Sequence, residues 1–218
     1  RLPTRYFATL AQKWSAIAQE VHVRHATGQP ILIGTKTIDE SEVLAHHFCQ
    51  LNIPHQLLNG KQDRSEADIV AAAGREHAVT IATNMAGRGT DIQLSETVRA
   101  LGGLHVIQTQ RQESARVDRQ LIGRCGRQGQ PGSHQCFVSA EDPMIASTSS
   151  ALTKQMQARC EPDVGVERAF DAAVDQVQAE LESDAYQQRQ DLYRQDQWLE
   201  DVLSKVATQD RHPVAAGS

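Results

Sequence analysis

From residue 9 to residue 27 the positions Leu10, Trp14, Ile17, Ala18 and Val21, continued by His25, recur at three- and four-residue steps. That is the period of one face of an α-helix. Gly28 supplies a C-terminal stop and Pro30 prevents continuation. The apolar run Ile31-Leu32-Ile33 then reads as a buried strand. Thr37 and Glu40 have the spacing of a capping box, and the helix they open is expected to turn Val43, Leu44, Phe48 and Leu51 inward.

The alternation continues along the chain. His55 to Leu58, Ala78 to Ala82, Leu104 to Thr109 and Gln135 to Ser139 read as strands. Ser65 to Ala73, stopped by Gly74, and Ser114 to Ile122 read as helices. Short apolar strands alternating with amphipathic helices predict an α/β fold, a parallel sheet with helices on both faces. Ligands of such sheets sit beyond the carboxyl ends of the strands. After Pro143 the character changes. Ser147-Thr148-Ser149-Ser150 reads as a polar loop, and from Val166 to Ala207 the chain is free of Gly and Pro. Phe170, Val174, Val177 and Leu181 form an apolar stripe there, resumed by Leu192, Leu199, Val202, Leu203 and Val206. A helix of that length is on the order of 60 Å long, too long for one more layer on the sheet. The expected organisation is therefore an α/β domain over residues 1–146, then a linker and long helical arm over residues 147–218.

Composition narrows the function classes. Hydrophobic residues make up 39% of the 218, enough for a core, and aromatics only 4%, so that core is aliphatic. The formal net charge is −5, which argues against a nucleic-acid partner, because phosphates call for an excess of Lys and Arg. Cys49, Cys125, Cys136 and Cys160 form no C-x-x-C pair and fit a reducing compartment. No run approaches the ~18 apolar residues of a membrane span. The chain opens without Met, in what reads as a linker, so a fragment of a longer cytoplasmic protein is expected.

Two segments carry chemistry. In Thr83-Asn84-Met85-Ala86-Gly87-Arg88-Gly89-Thr90-Asp91 two glycines flank an arginine after a predicted strand. The glycines allow a tight turn close to a ligand, and the guanidinium fork suits phosphate oxygens. Asp91 is placed to fix that arginine or hold a ribose hydroxyl or metal-bound water. In Gln120-Leu121-Ile122-Gly123-Arg124-Cys125-Gly126-Arg127-Gln128-Gly129 two arginines stand three apart, each behind a glycine. On a helix such residues point the same way and can meet one anion. There is no G-x-x-x-x-G-K-[ST] phosphate loop and no acidic box to hold magnesium. Arginines fit for a γ-phosphate, without a cradle for it, imply a composite site completed by another domain. Elsewhere, adjacent His46 and His47 make a poor metal pair, His105 reads as a core histidine, Cys125 as a small-residue choice, and Trp14 and Trp198 as packing residues.

These segments resemble motifs V and VI of the SecA preprotein translocase ATPase. Thr83 to Ile92 is similar to the first and Gln120 to Gly132 to the second. Gly28-Gln29-Pro30-Ile31-Leu32-Ile33-Gly34-Thr35, Leu57-Leu58-Asn59, Ala72-Ala73-Gly74, Gly102-Gly103-Leu104-His105-Val106-Ile107 and Glu141-Asp142 follow in the family's order. The resemblance spans roughly residues 6 to 145 and implies a second RecA-like domain of helicase C-terminal type, followed by a scaffold-like arm. Residue by residue, it implies Arg124 and Arg127 as arginine fingers on the γ-phosphate, with Arg88 catalytic beside them. Asp91 would face the nucleotide, Gln120 would register the second motif, and Gly87, Gly89, Gly123 and Gly126 would permit close backbone. ATP and magnesium would be held mainly by a first RecA-like domain of the same chain, with no metal bound here. Implied partners are that domain, unfolded polypeptide, and a membrane translocon or anionic membrane surface, at a cytoplasmic to peripheral inner-membrane location. Ile122, Cys125 and Gln130 stand where the family usually has Arg, Ser and Asp, which marks a divergent paralogue. The alternative readings are the C-terminal domain of a superfamily 2 RNA or DNA helicase, and a non-catalytic docking module.

Overall fold

Ile31, Leu32 and Ile33 are all buried because β2 (Ile31–Thr35) is an interior strand covered on both faces. The computed structural model describes residues 1–58, 66–83, 91–160 and 165–209. Its seven-stranded sheet has the order β3 (Gln56–Leu58), β4 (Val79–Thr83), β2, β5 (Leu104–Gln108), β6 (Gly132–Ser139), β1 (Arg5–Phe7), β7 (Val166–Glu167). Every neighbouring pair is parallel except β1 with β7. Ile33 stands level with Ile81 on one side and Ile107 on the other.

Successive strand residues point to opposite faces, and the core divides accordingly. Ile31, Ile33, Ile81 and Ile107 pack with Trp14, Ile17 and Val21 of α1 (Leu10–Ala26) and Leu44 and Phe48 of α2 (Ile38–Gln50). Leu32, Ala82, Leu104 and Val106 pack with Val70 of α3 (Glu66–Ala72) and Val98 of α4 (Glu96–Ala100). The expected α/β architecture with helices on both faces is the observed one.

Several local expectations need correction. The opening residues are not a linker: Arg5, Tyr6 and Phe7 pair with Phe137, Val138 and Ser139, and Tyr6 and Phe7 are fully buried. A three-residue strand has no readable period, so only its neighbours reveal it. On α2, Val43 and Leu51 face solvent at 45% and 56% exposure, while Ser41 takes the inward position beside Leu44 and Phe48. Thr37 Oγ1 accepts from the Glu40 amide at 3.1 Å, but the Glu40 carboxylate reaches the Lys36 amide at 2.9 Å rather than that of Thr37. A complete capping box forms instead at Thr9 and Gln12. The serine-rich stretch is not a loop: α6 (Pro143–Thr148) and α7 (Ser150–Arg159) meet at Ser149, whose hydroxyl caps α7 at the Leu152 amide. Serine serves as a helix cap as readily as a loop residue. Trp14 packs as expected, but Trp198 is 63% exposed.

Lys13 and Asp142 form a buried ion pair between α1 and the end of β6. Asp142 also accepts from the Ser139 amide at 2.8 Å. The last helix, α8 (Asp171–Gln209), runs for 39 residues. Its first turns belong to the sheet unit: Val174 and Val177 are buried, and Asp171 accepts from the Tyr6 hydroxyl at 2.6 Å. The chain divides into two compact units, residues 1–178 and residues 179–218. No helix among the described residues is long and apolar enough to cross a membrane.

Candidate functional site

The segment carrying Arg124 and Arg127 is a turn between two rigid elements. The helix α5 (Ala115–Ile122) starts behind the carboxyl end of β5, runs back along the sheet, and is capped by Gly123. Gly126 then takes φ 67°, a left-handed conformation that suits glycine, and a 3₁₀ turn over Arg127–Gly129 leads into β6. The two arginines are therefore not related by helical spacing, because the helix ends before the first of them. The turn feeds the amino end of β6, so it lies at the opposite edge of the sheet from the loops after β2 and β5. The rule that ligands gather at the carboxyl edge does not describe this segment.

Tight packing sets the turn in place. A Cβ on Gly132 would stand 2.7 Å from the Gly126 amide and 2.9 Å from Cys125 Cβ. One on Gly34 in β2 would lie 2.3 Å from Leu121 Cδ2, so α5 sits directly on a glycine gap in the sheet. Gly74 performs the same service for the other segment, since its Cβ would meet Gln93 O at 2.1 Å.

Arg127 is held at two points. Its Nε donates to Gly123 O at 2.7 Å, and its Nη1 lies 2.9 Å from Asp91 Oδ1. This ion pair joins the two chemically distinctive segments at one exposed edge, with side-chain exposures of 41% and 47%. Arg124 is half-buried beside it in sequence, and Gln120 is exposed on the last turn of α5. Gly87, Arg88 and Gly89 lie outside the described residues. The Cys125 thiol is pushed up by burial and its Sγ donates to Ile122 O at 3.2 Å, which suits an inert packing residue.

Behind the turn lies a buried polar cluster that sequence reading does not single out. Asp118 on α5 accepts from the Gln108 side-chain amide and, at 2.9 Å, from the Gln112 amide. Its other oxygen accepts from Gln178 Nε2 at 2.8 Å and lies 2.9 Å from Arg111 Nε. Arg111 Nη2 continues to Asp175 Oδ1 and Gln178 Oε1, both at 2.7 Å. In sequence, Gln110-Arg111-Gln112 is a polar stretch after a strand, with no motif of its own. The signal was a polar run directly after an apolar strand and before a helix carrying a lone Asp.

The exposed, Asp91-steadied guanidinium of Arg127 fits the anionic end of a nucleotide. Among the described residues no group of three or more His, Cys, Asp or Glu is placed to hold a metal ion.

Two solved structures share this fold. The E. coli DEAD-box protein SrmB, bound to regulator of ribonuclease activity A, matches with TM-score 0.52 and 19% identity over 75% of this chain and 89% of that one. Domain 2 of the DEAD-box helicase Mss116p, bound to an RNA duplex, matches with TM-score 0.52 and 15% identity over 69% of this chain and 59% of that one. At such identities the likeness speaks for the fold alone, and it establishes the RecA-like architecture. Sequence relatives are closer. Protein translocase subunit SecA 2 of Geobacillus thermodenitrificans is 50% identical over 162 residues, 74% of this chain and 21% of that protein. Protein translocase subunit SecA of Malacoplasma penetrans is 42% identical over 193 residues, 88% of this chain and 14% of that protein. The chain therefore spans about a fifth or less of the length of these relatives. A family model described as the SecA P-loop domain matches residues 3–99 and 94–163. With a family match over most of its length and an arginine turn joined to its partner segment, this chain belongs to the SecA P-loop domain family.

Proposed function

We propose that this chain is the second half of a SecA-like ATPase motor, in which ATP hydrolysis drives translocation of protein. In this reading residues 1–146 supply its second RecA-like domain, and residues 147–218 the linker, whose β7 and first turns of α8 belong to the compact unit 1–178, and the scaffold-like arm. When bound, Mg·ATP supplies the phosphoanhydride whose hydrolysis powers the motor, held mainly by a first RecA-like domain. On this side, Arg124 and Arg127 would meet the γ-phosphate, and Arg88 is the third arginine assigned to it in this reading. Gly123 O steadies Arg127 through Nε and Asp91 orients it through Nη1, while Asp91 also faces the nucleotide. Gly87, Gly89 and Gly126 let the backbone come close, and Gln120 sets the register of α5. The partners in this reading are the first RecA-like domain, unfolded polypeptide, and a translocon or anionic membrane surface on the cytoplasmic side of the inner membrane.

The observation that carries this reading is the Arg127–Asp91 ion pair at an exposed edge. Guanidinium groups supplied across a cleft contribute roughly 10³ to 10⁵ in rate. Full-length protein carrying Arg127→Ala is expected to bind ATP and turn it over at least ~10²-fold more slowly. Turnover close to that of the unaltered protein overturns the finger assignment. Stimulation of the ATPase by RNA, and not by unfolded polypeptide with anionic lipid, would favour a helicase instead.

A further inference from the structure

We propose that Gln178, at the root of α8, is a positioning residue for the arginine turn and acts through the buried carboxylate of Asp118. The proposal rests on the reading of Arg127 as a finger.

Gln178 is 3% exposed although it is polar, and both ends of its amide are engaged. Nε2 donates to Gln112 O at 2.6 Å and to Asp118 Oδ2 at 2.8 Å, and Oε1 accepts from Arg111 Nη2 at 2.7 Å. One side chain of α8 therefore grips the loop after β5 and the helix α5 together. Asp175, one turn earlier, holds the same Arg111 nitrogen. Asp118 in turn stands on the helix whose capping residue, Gly123, accepts from Arg127 Nε. The covalent path from Asp118 to that cap is less than two helical turns, and Leu121 between them is seated over Gly34.

A short helix gripped at both ends moves as a rigid body. A shift of Gln178 is passed through Asp118 to α5 and so to Arg127. Gln178 is also the last residue of the first compact unit, and Ala179 begins the second. The grip thus sits where the α/β unit gives way to the arm. A buried, fully engaged amide has two states, bonded or broken, and a broken state leaves Asp118 and Arg111 under-satisfied. The positions around Gln178 are accordingly those through which α8 fixes the orientation of the fingers.

The test is a double-mutant cycle on ATP turnover by the full-length protein, with Gln178→Leu, Arg127→Ala and the double variant. Gln178→Leu is expected to lower kcat by ~10-fold or more, in line with the sensitivity of rates to small misplacements, while KM for ATP changes by less than ~2-fold. In the Arg127→Ala background Gln178→Leu is expected to lower kcat by a clearly smaller factor, since Arg124 alone is left on that turn to position. Should Gln178→Leu fail to fold, Arg111→Lys enters the same cycle, because an ammonium cannot span Asp118, Asp175 and Gln178 at once. Equal factors in both backgrounds, or an unchanged kcat, overturn the positioning role while leaving the finger intact. Normal turnover by Arg127→Ala alone overturns the finger, and the positioning role falls with it.

Discussion

Arg127 reaches Asp91 across 36 residues of sequence, and the 2.9 Å between Nη1 and Oδ1 joins the turn after α5 to the end of the first glycine-rich segment. The pair is half exposed on both sides. Water and salt therefore screen it, and its value lies in aiming the guanidinium more than in stabilising the fold.

That distinction is measurable. Exposed pairs contribute about 0–1 kcal/mol, so Asp91→Ala should leave the urea-unfolding midpoint almost unchanged. Nucleotide turnover by the full-length variant should nonetheless fall, because Gly123 O alone then orients Arg127. A large loss of stability with normal turnover would reverse the assignment.

Gly34 offers a second prediction. An added Cβ would collide with Leu121 Cδ2 at 2.3 Å, so Gly34→Ala should cost about 1–3 kcal/mol through overpacking. Leu121→Ala in the same chain should recover part of that loss, since it clears the space. Independent, additive effects of the two changes in urea unfolding would show that α5 does not rest on this gap.

The buried pair of Lys13 and Asp142 should be sensitive to loss of one partner. Lys13→Met leaves Asp142 with the Ser139 amide but no counter-charge, and breaking such a pair costs about 3–5 kcal/mol. Adding Asp142→Asn should restore some of the loss, because no uncompensated carboxylate remains. Thermal unfolding of the single and double variants checks this.

Acid should weaken the fold through two strand histidines. Burial lowers His105 to about 3 and His134 to about 4. His134 Nε2 is bonded to Gln108 Oε1, an acceptor, so its proton sits there; the bare Nδ1 has no partner. His105 pairs through Nδ1 with Ser133, and its Nε2 is likewise unpartnered. Both are therefore buried neutral, with folded values below the ordinary 6.5. Their contribution is complete above about pH 6.5 and is lost as pH falls from there toward 4 and 3. At pH 5 the loss is on the order of 2 kcal/mol per histidine. The urea midpoint should fall between pH 7.5 and pH 5, and His105→Gln should flatten that slope. An unchanged slope in the variant would mean His105 is not the sensor.

Much of this protein is determined locally. Leu10 through Val21 repeat with helical period and Ile31-Leu32-Ile33 form a run only a doubly covered strand can use, so α1, β2 and the alternating plan follow from side-chain period alone. The two glycine-flanked arginine segments are likewise legible, because glycine and arginine at that spacing have few other uses. What the tertiary structure decided depends on partners distant in sequence. Arg5-Tyr6-Phe7 becomes a strand because β6 and β7 lie beside it. Ser41, not Val43, faces the core because α2 settles on the sheet with that rotation. Arg124 and Arg127 share a turn, not a helix, because Gly123 ends α5. Asp118, Arg111 and Gln178 carry no signal in sequence, and the fold buries them together. Their burial is tolerable because the carboxylate, guanidinium and amide pair with one another, and that mutual requirement is invisible in a one-dimensional string.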